Sequence, residues 1–170
     1  IALEGVRMTC GSEVLEDYVP DITATVVERM LDAGATIHGK TNMEGFAFSA
    51  SSDTSDFGIV ENPQDPTRIA GGSSSGSAAA VAANEVDIAL GTDQGASVRV
   101  PAAACGVVGL DPTTGLVPYT GIFPMDPTID HVGPITHTVE EAAKTLEVIA
   151  GKDGLDPRQP GHVEVDKYTE

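Results

Sequence analysis

The residues of this chain whose type and spacing could do chemistry are serines set in two glycine-bearing turns. "AGGSSSGSAAAVAA" carries Ser73, and "ALGTDQGASVR" carries Ser97. Gly71 and Gly72 open backbone geometries closed to other residues, and the serines then enter an alanine-rich helix. A turn that feeds a helix N-terminus leaves N–H groups unpaired at the positive end of the helix dipole. Such a turn suits a phosphate or a developing oxyanion. The Gly-Lys-Ser/Thr ending of a phosphate loop is missing. A flexible linker, or simple N-capping by Ser73 to Ser75, is the bland explanation of the same composition. A linker, however, would not run straight into a patterned helix and strand.

The second turn closes a strand ending near Leu90. Asp93 and Arg99 flank it, six residues apart, so an ion pair tying its two arms is expected. Ser97 stands at the apex, with the N–H groups of Gln94, Gly95 and Ala96 just before it. That is the layout of a nucleophilic hydroxyl beside an oxyanion hole, although a serine on a glycine turn is more often structural. A serine nucleophile needs a base, and the histidines are His38, His131, His137 and His162. Asp130 precedes His131, but neighbours in a strand point to opposite faces. From the residues alone a Ser-His-Asp triad stays open and unsupported.

The elements that must position these turns alternate along the chain. "DITATVVERMLDAGA" puts Val26, Val27, Met30 and Leu31 on one helical face, with Thr23 as N-cap and Gly34 as stop. "ATIHG" reads as a short buried strand. A loop rich in Ser, Asp and Pro runs from about 49 to 67, where Pro63 and Pro66 exclude regular structure. "SAAAVAAN" predicts a helix, "EVDIALG" a strand alternating Val86, Ile88 and Leu90, and "CGVVGL" another strand. "HTVEEAAKTLEVIAGKDG" predicts a helix opened by a Thr138/Glu141 capping box. Its buried stripe is Val139, Ala142, Ala143, Leu146 and Ile149, and Gly151 ends it. The stretch from Lys152 to Glu170 reads as a loop. Helices alternating with apolar strands imply an α/β fold.

Composition bounds the rest. A chain of 170 residues, 41% hydrophobic and with no run approaching a membrane span, predicts one soluble globular domain. Ile1 opens without a signal-peptide pattern, so an internal segment of a longer protein is expected. Cys10 and Cys105 make neither a disulfide framework nor a metal site, and two buried thiols in a reducing cytoplasm are the expectation. Twenty-six acidic against nine basic residues give a net charge of −17. That field repels nucleic acid and anionic membranes. The acids are dispersed among periodic apolar residues, so they belong to a folded surface, and a cytoplasmic protein of a halophile is the expected source.

Over nearly its whole length the chain resembles the central part of the amidase signature family. The matching segments are "AGATIHGKTNMEGFAFS", "NPQDPTRIAGGSSSGSAAAVAA", "ALGTDQGASVRVPAAACGVVGLDPTTGLVPYTG" and "TIDHVGPITHTVEEAAKTLEVIAGKDGLDPRQP". The Gly/Ser block together with the GTDxGxSxRxPAA pattern is highly specific. The resemblance implies a central mixed β-sheet covered by helices on both faces, incomplete here, with residues 1–170 the middle of a single domain. It implies a Ser–cis-Ser–Lys hydrolase in which Ser97 is the nucleophile. Ser73, after a cis Gly72–Ser73 peptide, is the bridging serine. The N–H groups of Gln94, Gly95, Ala96 and Ser97 match the oxyanion hole, and Gly72, Ser74, Asp93 and Arg99 support the turns. A hydroxyl both donates and accepts, so Ser73 can take the proton of Ser97 while passing its own to a neutral amine. The family's lysine would lie a few residues before Ile1, so residues 1–170 alone are expected to be inactive. Lys40 matches a different, structural position.

Three residues depart from the pattern. Ser75 stands where glycine is frequent, and Ala96 replaces the glycine before the nucleophile, which adds strain if position 96 needs positive φ. Asp111 replaces a common lysine, which reads as adaptation of a salt-exposed surface. "GTDQG", "GLVPYTGIFPMDPTIDHVGPIT" and "AGKDGLDPRQ" look most like stand-alone amidases of small aliphatic or aromatic amides. The A subunits of glutamyl-tRNA amidotransferases are the alternative, and a catalytically silent relative serving in a complex is the third reading. The expected partner is a small-molecule amide, with a homodimer among the assemblies open to the chain, and no metal or cofactor.

Overall fold

In the computed structural model, which describes residues 1–170, four helices surround a three-stranded sheet. In chain order these are α1 (Thr25–Asp32), α2 (Ser75–Ala82), β1 (Ile88–Asp93), α3 (Arg99–Cys105), β2 (Val108–Gly109), β3 (His131–Thr136) and α4 (Val139–Ile149). The sheet order is β1-β3-β2, and both ladders are antiparallel. In the β1–β3 ladder Ile88 pairs with Thr136, Gly91 with Gly133 and Asp93 with His131.

The two faces of β3 carry two cores. Val132 packs with Val26, Val27, Leu146 and Ile149 of α1 and α4. Ile135, three residues on and therefore on the other face, packs with Ala78 and Val81 of α2 and with Val98, Ala102 and Cys105 in and beside α3. Helices thus cover both faces of the sheet. Burying a side chain such as Ile135 contributes about 1.5–3 kcal/mol. No helix is long and apolar enough to cross a membrane.

Several local expectations hold. The α4 capping box is complete: Thr138 Oγ1 accepts from Glu141 N–H at 3.2 Å, and Glu141 Oε2 accepts from Thr138 N–H at 2.9 Å. Ala142, Leu146 and Ile149 are buried, whereas Val139, at the first helical position, lies outside the packed stripe and is exposed. At the other end of α4, Arg29 Nη1 donates to the carbonyls of Ile149, Ala150 and Gly151. A cation thereby occupies the negative pole of the helix.

Others fail for identifiable reasons. Helix α1 starts later than expected, with Ala24 as N-cap, because Thr23 Oγ1 accepts instead from Glu4 N–H at 3.1 Å. "ATIHG" forms no strand and Ile37 is exposed, since nothing pairs with the segment within residues 1–170. The strand expected at "CGVVGL" shrinks to Val108–Gly109, because Cys105 ends α3 and Gly106, at φ 75°, caps it. Gly133 shows why β3 carries no side chain at its centre: a Cβ there would collide with the Leu110 carbonyl oxygen.

Candidate active site

The turn after β1 is organised by Asp93, whose side chain is only 1% exposed. Its Oδ1 accepts from Ala96 N–H at 2.6 Å, and its Oδ2 from Val98 N–H at 3.0 Å and Arg99 N–H at 3.4 Å. Arg99 adds Nε to Oδ2 at 3.1 Å and Nη2 to Oδ1 at 2.9 Å, a bidentate pair. Burial would push the Asp93 carboxyl up, but the bonds from Arg99, Val98 and Ala96 outweigh it and hold its pKa below the usual value. One carboxylate therefore fixes both arms of the turn at whose apex Ser97 stands.

Ala96 sits at φ 90°, in the region that favours glycine. Its N–H, expected to face an oxyanion, is directed inward to Asp93 and is already spent. The N–H groups of Gln94, Gly95 and Ser97 have no acceptor within the chain. Space beyond the Gly95 Cα is open, and Gln94 Nε2 donates to Tyr119 Oη at 3.2 Å. The turn therefore offers three N–H groups rather than four.

The earlier serine turn lies against this one. Ser74 N–H donates to the Ser97 carbonyl at 3.2 Å, and Ser74 Oγ accepts from Thr92 N–H at 3.2 Å. Ser73 follows a cis Gly72–Ser73 peptide. It is fully buried, and its Oγ has no hydrogen-bond partner. Ser97 is 8% exposed. At the N-terminus of α2, Gly76 N–H is not free, because it donates to the Asn42 carbonyl at 3.0 Å. Nor does Ser74 cap α2 through its side chain.

Gly72 is fitted into a groove of backbone: its N–H donates to the Ala50 carbonyl, and a Cβ would meet Glu44 Cγ and the Ser49 and Ser51 carbonyl oxygens. Glu44 was not singled out by the sequence, yet it is fully buried. Its N–H donates to the Ser73 carbonyl at 3.1 Å, and its Oε2 accepts from Thr54 N–H and Oγ1 at 3.0 and 2.6 Å. A lone acid beside the serine/threonine-rich stretch 49–55 was the only available signal.

Asp111 corrects an expectation. It is not a solvated surface substitution, its side chain being 19% exposed, with Oδ2 3.2 Å from Arg99 Nη2. His131 bonds Thr114 Oγ1 through Nε2 at 2.8 Å, and its Nδ1 faces Asp111. It makes no bond to either serine, while His38, His137 and His162 are exposed. The carboxyl of Asp130 faces elsewhere, accepting from Met125 and Asp126 N–H. No histidine is therefore joined to Ser97, and no cluster of ligating side chains could hold a metal ion.

A family model described as Amidase matches residues 1–170. The chain belongs to the amidase family. It is 58% identical over 156 residues to the A subunit of the glutamyl-tRNA(Gln) amidotransferase of Natronomonas pharaonis, covering 92% of this chain and 37% of that one. It is 54% identical over 164 residues to an enantioselective amidase of Rhodococcus rhodochrous, covering 95% and 31%. Its fold matches the crystal structure of the A subunit of the glutamyl-tRNA(Gln) amidotransferase from Thermotoga maritima with a TM-score of 0.94 at 46% identity, covering 98% and 36%. The chain spans about a third of the length of these amidase relatives. Their likeness bears out the amidase-type core, an α/β arrangement of which residues 1–170 form a part.

Proposed function

We propose that the protein hydrolyses a carboxylic amide to a carboxylate and ammonia through an acyl-enzyme on Ser97. Ser97 Oγ attacks the amide carbonyl carbon, and its proton passes to Ser73 Oγ as Ser73 gives its own to a neutral amine base. The family resemblance assigns that base to a lysine outside residues 1–170. The tetrahedral oxyanion rests on N–H groups of the 94–97 turn, with Gln94, Gly95 and Ser97 as donors. Collapse expels ammonia, which takes up the proton, and water then cleaves the ester by the reverse relay.

The observation that supports this reading is the contact of the two serine turns through Ser74 N–H and the Ser97 carbonyl. The test is turnover of acetamide and benzamide by the intact protein, with Ser97→Ala and Ser73→Ala each lowering kcat by about 10⁴-fold or more at unchanged Tm. Simple amides left untouched by a folded protein would refute it.

The 58% identity to the Natronomonas pharaonis protein favours a second reading, in which the amide is that of glutamine and activity needs partner proteins. Glutamine hydrolysis that appears only on adding such partners would select it.

A further inference from the structure

Residues from three segments meet on the outer side of the Asp93–Arg99 clamp. The ladder register pairs Asp93 with His131, and directly opposed residues of an antiparallel pair send their side chains to one face. Asp111, from the segment after β2, reaches both: Oδ2 lies 3.2 Å from Arg99 Nη2, and Oδ1 lies 3.6 Å from His131 Nδ1. Asp111 Oδ1 is buried and has no hydrogen-bond partner, so the imidazole facing it matters. A proton on Nδ1 points a donor at that oxygen, while Nε2 exchanges a hydrogen bond with Thr114 Oγ1.

The Arg99 guanidinium is therefore shared by two carboxylates, one of which holds the nucleophile turn and one of which answers to a histidine. Resting on the reading of Ser97 as nucleophile, we propose that Asp111 and His131 are positioning residues for the Ser97 turn, acting through Arg99 on Asp93. With His131 neutral, Asp111 depends on Arg99 and draws it outward. With His131 protonated, Asp111 is compensated locally and Arg99 is released to Asp93, whose oxygens fix the N–H groups of Ala96 and Val98.

The charged neighbours agree with this coupling. Burial, then Asp93, push the Asp111 carboxyl up, and His131 and Arg99 pull against them. Towards His131, β1 and α3 contribute Asp93 and Arg99, and the segment after β2 contributes Asp111. From the C-terminal segment, Arg158 bonds the Asp130 carbonyl at 3.3 Å while its charge is matched by Asp156 at 2.7 Å. The Asp130 carboxyl is occupied by N–H groups of its own loop.

The experiment follows the intact protein by NMR and by amide hydrolysis across pH 5–8. In wild type the Ala96 and Val98 amide resonances are expected to move with the His131 ring resonances, and in H131Q and D111N that movement is lost. In the hydrolysis assay, H131Q is expected to remove one inflection from the pH profile of kcat, and D111N to lower kcat about tenfold with KM little changed. Should D111N not fold, H131Q decides. Ala96 and Val98 amides indifferent to His131, or an unchanged profile in H131Q, overturn the proposal. The amide resonances need no substrate. A protein that turns over no amide, yet whose turn follows His131, therefore refutes the amidase reading while upholding the coupling. Turnover lost in S97A but unaltered in pH profile by H131Q refutes the coupling alone.

Discussion

Ser74 donates its backbone N–H to the carbonyl oxygen of Ser97 at 3.2 Å, so the two serine turns are joined through main chain rather than through a mobile side chain. Gly91 makes room for that approach. A Cβ there would lie 2.6 Å from Ser74 Oγ and 2.8 Å from Ser74 Cβ, with Val98 Cγ2 at 3.0 Å. Ser74 Oγ is committed to Thr92, so it has little freedom to retreat. Gly91→Ala is expected to cost about 1–3 kcal/mol of stability. It should lower kcat by about 10–100-fold more than it changes KM, because the serines are moved apart. Steady-state kinetics beside chemical denaturation check it, and unchanged kcat would show that the contact does not position the serines.

Asp93 makes the site acid-sensitive. Its folded pKa lies below the ordinary value of 3.8, so its contribution to stability is present above about pH 4 and lost as pH falls through the folded value. Asp153 acts in the same sense. Burial would raise it, but bonds from Asp156 N–H, Leu155 N–H and Thr25 Oγ1 help bring it down to about 2. Wild-type stability should therefore fall between about pH 4 and pH 2, and Asp93→Asn should flatten part of that fall. At pH 7 Asp93→Ala should cost about 2–4 kcal/mol, since it strands several N–H groups and half of the Arg99 pairing. Denaturant midpoints at pH 7, 4 and 3 measure both effects.

What the sequence disclosed was what depends on near neighbours. Asp93 and Arg99 are six residues apart and their pairing is a property of one turn, as the capping box is of one helix end. What stayed hidden depends on register. Nothing in "GLDPTTG" or "TIDHVGP" says that Asp111 and His131 meet, because that follows from Asp93 lying opposite His131 in the ladder. Helix α3 was concealed by Pro101, which is tolerated because the first turn needs no N–H donor there. Asp130 and His131 read as neighbours in a strand, but glycine and proline ordinarily interrupt one. No strand is therefore drawn on through "HVGPIT", although Gly133 and Pro134 lie inside the paired strand β3. Glu44 was passed over because an acid next to glycine ordinarily reads as surface, whereas here it is fully buried with Oε2 bonded by Thr54 and Oε1 left without a partner.

The net charge of −17 sets a salt dependence. Raising salt shortens the screening length from about 10 Å at 0.1 M to about 3 Å at 1 M, which removes repulsion between dispersed surface acids. The Asp93–Arg99 clamp is less exposed to this screening because its carboxylate is buried. Tm is therefore expected to rise by about 5 °C or more between 0.1 and 2 M KCl. Scanning calorimetry across that series checks it, and a Tm that falls with salt would mean that ion pairing outweighs repulsion on this surface.

Ala96 supplies the last prediction. Its φ of 90° is one that an L side chain adopts only at a cost of about 1–2 kcal/mol, whereas glycine adopts it freely. Ala96→Gly removes that cost but gives the unfolded chain more freedom, which returns about 0.4–1 kcal/mol. The balance favours the variant by up to about 1 kcal/mol, opposite in sign to the same substitution in a helix interior. The Asp93 bond to the residue-96 N–H needs no side chain, so the turn should keep its shape and kcat should hold or rise. Denaturation midpoints together with kcat decide the matter. A destabilised Ala96→Gly would mean that the surrounding turn, rather than residue 96 itself, absorbs the positive φ.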